Sequence, residues 1–177
     1  MSINQSHINA RTVAAGDVHH YPARITTFDV LYEKIREEMA GQASYNETLD
    51  ILKRHIQPSK NDIRSLEVKL TEAELQHLIN YAKEVKELFA KKLAETQYLR
   101  SAQELYAHLL SKIRVDFNNK IHAKIGLISK EHISSEVTEK LVDPIFELLG
   151  ENPLLLTHED ILGMIYFLTG NCYFDWK

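Results

Sequence analysis

The chain has 177 residues and a formal net charge of −4, with 44% hydrophobic and 26% charged residues. This length suits one domain whose core needs no disulfide or metal, and the single cysteine excludes an internal disulfide framework and fits a reducing cytosol. No apolar run approaches the roughly 20 residues of a membrane span, and the first ten residues lack the features of a signal peptide. We therefore expect a cytoplasmic protein without membrane attachment, and its acidity argues against direct nucleic-acid binding by this chain alone.

Scarce glycine and proline favour a helical protein. The chain has only 6 Gly and 4 Pro, too few for a turn-rich β fold. Residues 1–25 stand apart because they show no helical period and few large apolar groups. Weak alternation within them predicts either a disordered arm or a strand that pairs with the edge of another chain. We therefore divide the chain into an extended or disordered N-terminal arm, 1–25, and a helical domain, 26–177.

Capping signals predict where the first helices begin. Thr26 or Thr27 can cap a first helix, and Ser44 with Glu47 forms a capping box for a second helix that Pro58 would end. The next segment, 66–70, alternates apolar and charged residues and predicts a brief extended piece.

A third capping signal opens the long middle helices. Thr71 and Glu74 form a capping box for a helix whose apolar face runs from Leu75 to Leu93, spaced for an antiparallel or coiled-coil neighbour. A further helix covers roughly 98–123, either continuous with this one or following a bend near residues 95–97.

The last helices are also bounded by capping residues. Ser134 or Ser135 can cap a helix that Pro144 kinks and Gly150 ends. Residues 151–156 are predicted to be extended, and Thr157, with an aspartate three residues on, caps a final helix that ends at Gly170. The predicted fold class is therefore all-α: a single multi-helix domain with an extended N-terminal arm and a short extended C-terminal tail.

A search for chemistry in the sequence is mostly negative. There is no Gly-rich phosphate loop, HExxH or CxxC motif, and no two of the nine histidines share a helical face at i,i+3 or i,i+4. We predict no catalytic residue, no cofactor and no metal site. The alternative from a different class is a helical RNase toxin of a toxin–antitoxin pair, with Arg114 and His122 at work on one helix.

The stretch 112–124 is the one locally basic segment. It carries two lysines and an arginine around Asp116, followed by Lys124. A solvated helix face explains such a pattern, and an acidic groove on a partner protein is the other interpretation. We regard Arg114, Lys120 and Lys124 as candidate partner-binding residues.

The C-terminal segment "GMIYFLTGNCYFDWK" (163–177) is apolar almost throughout. A surface helix would show a polar stripe, so this helix is expected to be buried on all sides, with Ile165 and Leu168 in the core. Tyr173, Phe174 and Trp176 are candidate partner-binding residues, because aromatic side chains anchor interfaces. Cys172 is expected to be a small buried hydrophobe rather than a reactive thiol.

The same segment is similar to the C-terminal signature of small helical domains in bacterial ABC-three-component conflict systems. In those domains a Gly-Met-hydrophobic-Tyr-Phe-Leu-Thr-Gly-Asn-Cys run is commonly followed by a residue or two and Trp, and the corresponding stretch here is "GMIYFLTGNCYFDW". The stretch "INARTVAAGDVHHY" also resembles short glycine–aspartate motifs that precede such domains. Where the family often has His after the Cys, this chain has Tyr173.

The resemblance implies partners and a role. Family members pair this domain with an SMC-like ABC ATPase and an effector, often a nuclease, as in Lamassu-type antiphage and antiplasmid systems. The resemblance therefore implies a non-catalytic middle, or adaptor, subunit that works by docking.

Overall fold

The computed structural model describes residues 26–41, 44–58 and 64–177. The predicted N-terminal arm, 1–25, lies outside these ranges. Within them the regular structure is helical and contains no strand, which confirms the all-α fold class. None of the helices in these ranges is both long enough and apolar enough to cross a membrane.

The helices follow one another with short connections. The α-helices are α1 (Thr27–Ala40), α2 (Asp50–Ile56), α3 (Leu66–Glu72), α4 (Ile79–Glu95), α5 (Arg100–Asp116), α6 (Ile133–Val137), α7 (Asp143–Leu149) and α8 (His158–Gly170). A π-helical segment, Phe117–Ile121, extends α5, and another, Thr138–Val142, joins α6 to α7. Short 3-10 turns, Gln76–Leu78 and His122–Lys124, precede α4 and follow the first π segment.

Two of the predicted helix starts are confirmed. Thr26 caps α1 by accepting a hydrogen bond from the Asp29 backbone N–H, and the Asp29 carboxylate accepts one from the Thr26 backbone N–H. Thr157 and Asp160 make the same reciprocal pair at the start of α8. Each box satisfies backbone donors that the first helical turn would otherwise leave free.

The predicted capping box at Ser44 and Glu47 is wrong, because α2 begins only at Asp50. Tertiary hydrogen bonds hold the preceding segment out of a helix. The Tyr45 backbone N–H donates to the Tyr98 carbonyl at 3.1 Å, and the Leu49 backbone N–H donates to the Gln103 side chain at 2.8 Å. The bond to Gln103 takes a donor that a helix starting at Ser44 would give to the Tyr45 carbonyl, and it ties the start of α2 to α5.

The region around Lys69 also differs from its prediction. Residues 66–72 form α3 rather than an extended piece, and the expected capping box at Thr71 and Glu74 is absent. Glu74 instead adopts a positive φ of 62°, and the Leu75 backbone N–H bonds back to the Leu70 carbonyl at 2.8 Å, which ends α3. The apolar face predicted for the following helix is present, since its members in α4 are buried: Ala82, Val85, Phe89 and Leu93.

Pro144 lies in the first turn of α7, where the second π segment gives way to α-helix, and the helical run from α6 to α7 shows no break there. Proline has no N–H to donate to the carbonyl four residues back, which here belongs to Lys140 in the middle of that π segment. The Lys120 ammonium lies 3.5 Å from that carbonyl and supplies a donor. The predicted cap at Ser134 or Ser135 is wrong: α6 begins at Ile133, and the Ser135 hydroxyl donates back to the His132 carbonyl.

The core is centred on α8, which packs most closely against α4. Gly163 makes that approach possible, because a Cβ at this position would lie 2.5 Å from the Val85 carbonyl oxygen and 2.7 Å from the Phe89 Cβ. Phe89 sets its ring edge-on to Phe167, with centroids 5.3 Å apart. Ile165 and Leu168 are fully buried, as predicted for this helix.

Candidate partner-binding surface

The chain after α8 turns back onto its own core. The turn occurs at Cys172, which has a φ of 65°, two residues after the end of α8 at Gly170. Phe174 stacks on Phe117 with ring centroids 4.0 Å apart, and Trp176 meets the same ring edge-on at 5.0 Å. The Phe117 ring, at the start of the first π segment, is therefore covered by the tail on two sides.

This placement corrects the expectation that Phe174 and Trp176 anchor a partner. Their exposed fractions are only 2% and 1%. The Trp176 indole N–H donates to the Thr169 hydroxyl at 3.1 Å, so even its polar atom has an internal partner. In this structure neither ring is available to a second protein, because both complete the core of the chain itself.

A buried lysine helps to hold the tail in place. Lys69 in α3 is 1% exposed, and its ammonium donates to the carbonyl oxygens of Thr169 at 3.1 Å and Phe174 at 2.9 Å. The first of these carbonyls lies at the C-terminus of α8, where the helix dipole favours a cation. Arg64 reaches Asp175 at 2.8 Å, which adds an ion pair on the outer side.

Tyr173 is the tail residue that stays half-buried at the surface. Its hydroxyl donates at 2.7 Å to the carbonyl oxygen of Gln57, just past the end of α2, and also contacts that of Arg54 in the last turn of α2. The guanidinium of Arg114 lies over its ring, 4.8 Å from the centroid. The structure thus brings together two of the sequence-predicted site residues, Tyr173 and Arg114, from parts of the chain 59 positions apart.

His55 lies beneath this pair and was not found by sequence reasoning. Its ring centroid is 6.2 Å from that of Tyr173, and its Nδ1 is buried with no hydrogen-bond partner within the described ranges. Burial lowers the pKa of His55, and the positive charges of Arg114 and Arg54 lower it further. The ring is therefore held neutral. No pattern in the sequence marks it, since its neighbours come from α5 and the tail.

The other two predicted residues lie elsewhere. Lys120 and Lys112 both pair with the largely buried Asp116, at 2.9 and 3.1 Å. Burial opposes ionisation of Asp116, but hydrogen bonds from the two lysines outweigh it and hold the pKa of this carboxyl below its usual value. Lys124 is exposed in the 3-10 turn after the π segment. The basic stretch is thus divided: Lys120 faces the π segment between α6 and α7, while Arg114 faces the tail.

We call the exposed group made by Arg54, Arg114 and Tyr173 the Tyr173 surface. Neither guanidinium makes an ion pair with a carboxylate in the part of the chain that the structure describes. The Arg114 guanidinium lies over the Tyr173 ring, and Arg54 is exposed on the helix whose carbonyl oxygen the Tyr173 hydroxyl contacts. Two exposed cations of this kind can receive a carboxylate from another molecule. The described ranges contain no group of three or more His, Cys, Asp and Glu residues that could hold a metal ion.

Comparison with known proteins identifies the family. The model of C-terminal domain 9 of the ABC-three component (ABC-3C) systems matches residues 65–176. No curated protein and no solved structure shows a significant match. The matched region spans α3 to α8 and the whole tail as far as Trp176, which is the part that forms the core around α8. The chain therefore belongs to the family of C-terminal domain 9 of ABC-three component systems.

Proposed function

We propose that this chain is the non-catalytic adaptor subunit of an ABC-three component system, linking an SMC-like ABC ATPase to an effector such as a nuclease. Membership of the ABC-3C domain family carries this proposal, since it makes the chain a component of a multi-component system. In the proposed antiphage or antiplasmid complex, of the Lamassu type, the adaptor holds the effector inactive until the ATPase senses foreign DNA.

The Tyr173 surface is the proposed contact with one of these partners. Arg54 and Arg114 come from different helices, and Tyr173 contacts both helices: its hydroxyl bonds to carbonyl oxygens at the end of α2, and its ring lies under the Arg114 guanidinium. Because Arg114 already rests on this ring, its side chain loses little freedom on binding. The chemistry of the surface favours an acidic segment of a partner protein, in which two carboxylates replace the water around the guanidinium groups.

Rigid attachment of this surface to the core suits an adaptor. Only two residues separate Tyr173 from the end of α8, and Phe174 and Trp176, which follow it, are buried against Phe117. A partner bound at Tyr173 is therefore connected closely to α8, because no long flexible linker separates Tyr173 from that helix. Movement of the ATPase could in this way be passed to the effector.

The test is pairwise co-purification of the full chain with the ATPase and effector encoded beside its gene. We expect the wild-type chain to bind both. The double charge reversal Arg54→Glu and Arg114→Glu should weaken binding to one of them at least tenfold. Lys91→Glu reverses a charge on the exposed side of α4 and serves as the matched control. Full retention of both partners by the double variant would exclude the Tyr173 surface as a contact.

A substitution at His122 distinguishes the adaptor proposal from the alternative of an RNase toxin. His122 is exposed in the 3-10 turn and takes no part in the Tyr173 surface. If the chain is an adaptor, His122→Ala should leave antiphage protection unchanged in a plaque assay. Loss of protection by an assembled complex carrying this substitution would favour chemistry at His122 instead.

A further inference from the structure

A small cavity lies where α4, α6, α8 and the tail meet, and it measures about 260 Å³. Its inner wall consists of side chains that are at most 4% exposed: Ile133, Val137, Tyr166 and Trp176. Its outer part is formed by exposed residues that carry hydroxyl groups: Tyr81, Ser134 and Thr138. We call this cavity the Tyr166 pocket, and none of the three residues of the Tyr173 surface lines it.

Tyr166 contributes a hydrogen-bonding group that the protein itself does not use. The side chain is 4% exposed, and its hydroxyl makes no hydrogen bond within the described residues. This hydroxyl is not sealed in the core, since the fully buried side-chain N and O atoms that lack a partner in the described ranges comprise only Nδ1 of His55. The open space that it reaches is the cavity that Tyr166 lines. Because buried tyrosine hydroxyls usually have a partner, this group points to a ligand.

The protonation of Tyr166 indicates which group of a ligand it meets. Burial raises the pKa of Tyr166 to about 12, so the hydroxyl keeps its proton at neutral pH. A phenol hydroxyl donates a hydrogen bond more strongly than it accepts one, because the ring withdraws electron density from the oxygen. The matching ligand group is therefore an acceptor, such as a ring nitrogen or a carbonyl oxygen.

The residues around this hydroxyl favour an uncharged ligand. None of the described residues that line the pocket is charged, so a buried ligand charge would lack a counter-ion. Burial raises the pKa of Tyr81, and the negative charges of Glu159 and Glu84 raise it further. The same two carboxylates disfavour the entry of an anion.

The size and lining of the pocket favour a flat ring. Three of the lining residues are aromatic, and aromatic side chains make offset-stacked or edge-on contacts with other rings. The volume exceeds the roughly 150 Å³ of a cavity that holds benzene, and it lies below the roughly 300–1,000 Å³ of pockets for drug-sized molecules. A compound of one or two rings fits these limits.

We infer that the Tyr166 pocket binds a small uncharged compound of one or two flat rings whose acceptor atom receives the hydrogen bond of the Tyr166 hydroxyl. The ring is removed from water by the apolar inner wall, which stabilises the bound state. Ile133 belongs to α6 and Trp176 to the tail, so the bound compound contacts both elements. This site is independent of the proposed adaptor function.

The probe for the test is quinoline, two fused rings with one nitrogen acceptor. Trp176 is the only tryptophan of the chain, so the full chain made with isotope-labelled tryptophan gives one indole N–H signal in an NMR spectrum. This signal comes from the pocket wall, and titration with quinoline should shift it to saturation. N-methylquinolinium has nearly the same shape, but its acceptor is blocked and it carries a charge. It should leave the signal of the wild-type chain unchanged at the same concentrations.

Tyr166→Phe removes only the hydroxyl. That hydroxyl has no internal partner, so the Tm should be unchanged. We expect quinoline to bind about fivefold more weakly, the worth of one hydrogen bond of about 1 kcal/mol. Naphthalene, which has the same shape and no acceptor, should bind the variant as well as it binds the wild-type chain. Tyr98→Phe removes the hydroxyl of an exposed tyrosine outside the pocket and is the matched control.

Four results would overturn this inference: no saturable shift with quinoline, equal binding of N-methylquinolinium, unchanged quinoline affinity in Tyr166→Phe, or exclusion of quinoline by the bound ATPase or effector. The last of these would mean that a protein fills the pocket instead. If Tyr166→Phe lowers the Tm, the two quinoline compounds decide on the wild-type chain. All four results leave the adaptor function intact, because co-purification tests that function separately.

Discussion

Apolar side chains next to the two ends of α8 differ in their exposure to solvent. After its C-terminus, Phe174 and Trp176 fold back and are almost fully buried, although aromatic residues near a chain end are good candidates for an interface. Before its N-terminus, Leu155 points into solvent between two buried leucines. Residue type alone therefore does not decide whether an apolar side chain is buried. Polar contacts of the neighbouring backbone also matter: the Lys69 ammonium binds the Phe174 carbonyl at one end, and the Leu156 backbone N–H donates to the Asn152 side-chain oxygen at the other.

The largest expected effect concerns the buried end. Trp176→Ala should lower the free energy of unfolding by about 3–5 kcal/mol, because it opens a cavity beside Phe117 and removes the hydrogen bond to Thr169. Urea denaturation of the isolated chain measures this loss. Tyr98→Ala, at an exposed aromatic residue, is the control and should change stability by less than about 0.5 kcal/mol. A loss below about 1 kcal/mol for Trp176→Ala would show that the tail is not part of the core.

The middle of α8 should be nearly as sensitive. Gly163→Ala places a methyl group 2.5 Å from the Val85 carbonyl oxygen, so α4 and α8 must move apart. Overpacking of this kind typically costs about 1–3 kcal/mol. Gly126→Ala is the matched control, since a Cβ there would have no heavy atom within 4 Å. Equal Tm values for the two variants would contradict the close packing of α4 against α8.

The smallest expected effect is the pH dependence of the Tyr173 end. His55 has a lowered pKa in the folded chain, whereas the unfolded chain takes up the proton near the ordinary value of 6.5. Between that value and the folded pKa the unfolded state binds more protons, so the free energy of unfolding should fall as the pH decreases below about 6.5. Urea unfolding at a series of pH values measures the slope.

His55→Gln removes this titration and provides the control for it. The remaining histidines still titrate in the variant, so the comparison isolates one ring. The slope of unfolding free energy against pH should be smaller for His55→Gln than for the wild-type chain. Identical slopes would mean that the imidazole does not stay neutral beside Arg114.

Local sequence signals predicted the fold class and several helix ends correctly, but similar capping patterns did not always start a helix. Thr26 and Thr157 cap helices, whereas the similar box at Ser44 and Glu47 does not. The difference is tertiary, because the Gln103 side chain accepts the Leu49 backbone N–H from across the core. A capping pattern says which bonds a segment can make with itself, not which bonds a distant helix offers.

The candidate site was predictable only in part for the same reason. Arg114 and Tyr173 were found as separate residues, but their contact depends on the tail turning back at Cys172. The helical period of α3 was not recognised in the sequence, because Lys69 occupies a core position and interrupts the apolar pattern. No sequence pattern marks His55, because its burial beside Arg114 arises only in the folded chain. The same holds for Leu155, whose φ of 50° and 78% exposure depend on the folded backbone.

The contacts of the tail also set the order of events during synthesis. Tyr173 bonds to a carbonyl 116 positions earlier, and Lys69 to one 105 positions later. At about 5–20 residues per second, α3 leaves the ribosome roughly 5–20 s before its partner in the tail has been made. The ring of Phe117 also stays uncovered until Phe174 and Trp176 have been synthesised and can pack on it. Slow translation lengthens this interval, and a chaperone that shields the exposed apolar faces during it should raise the yield of folded chain.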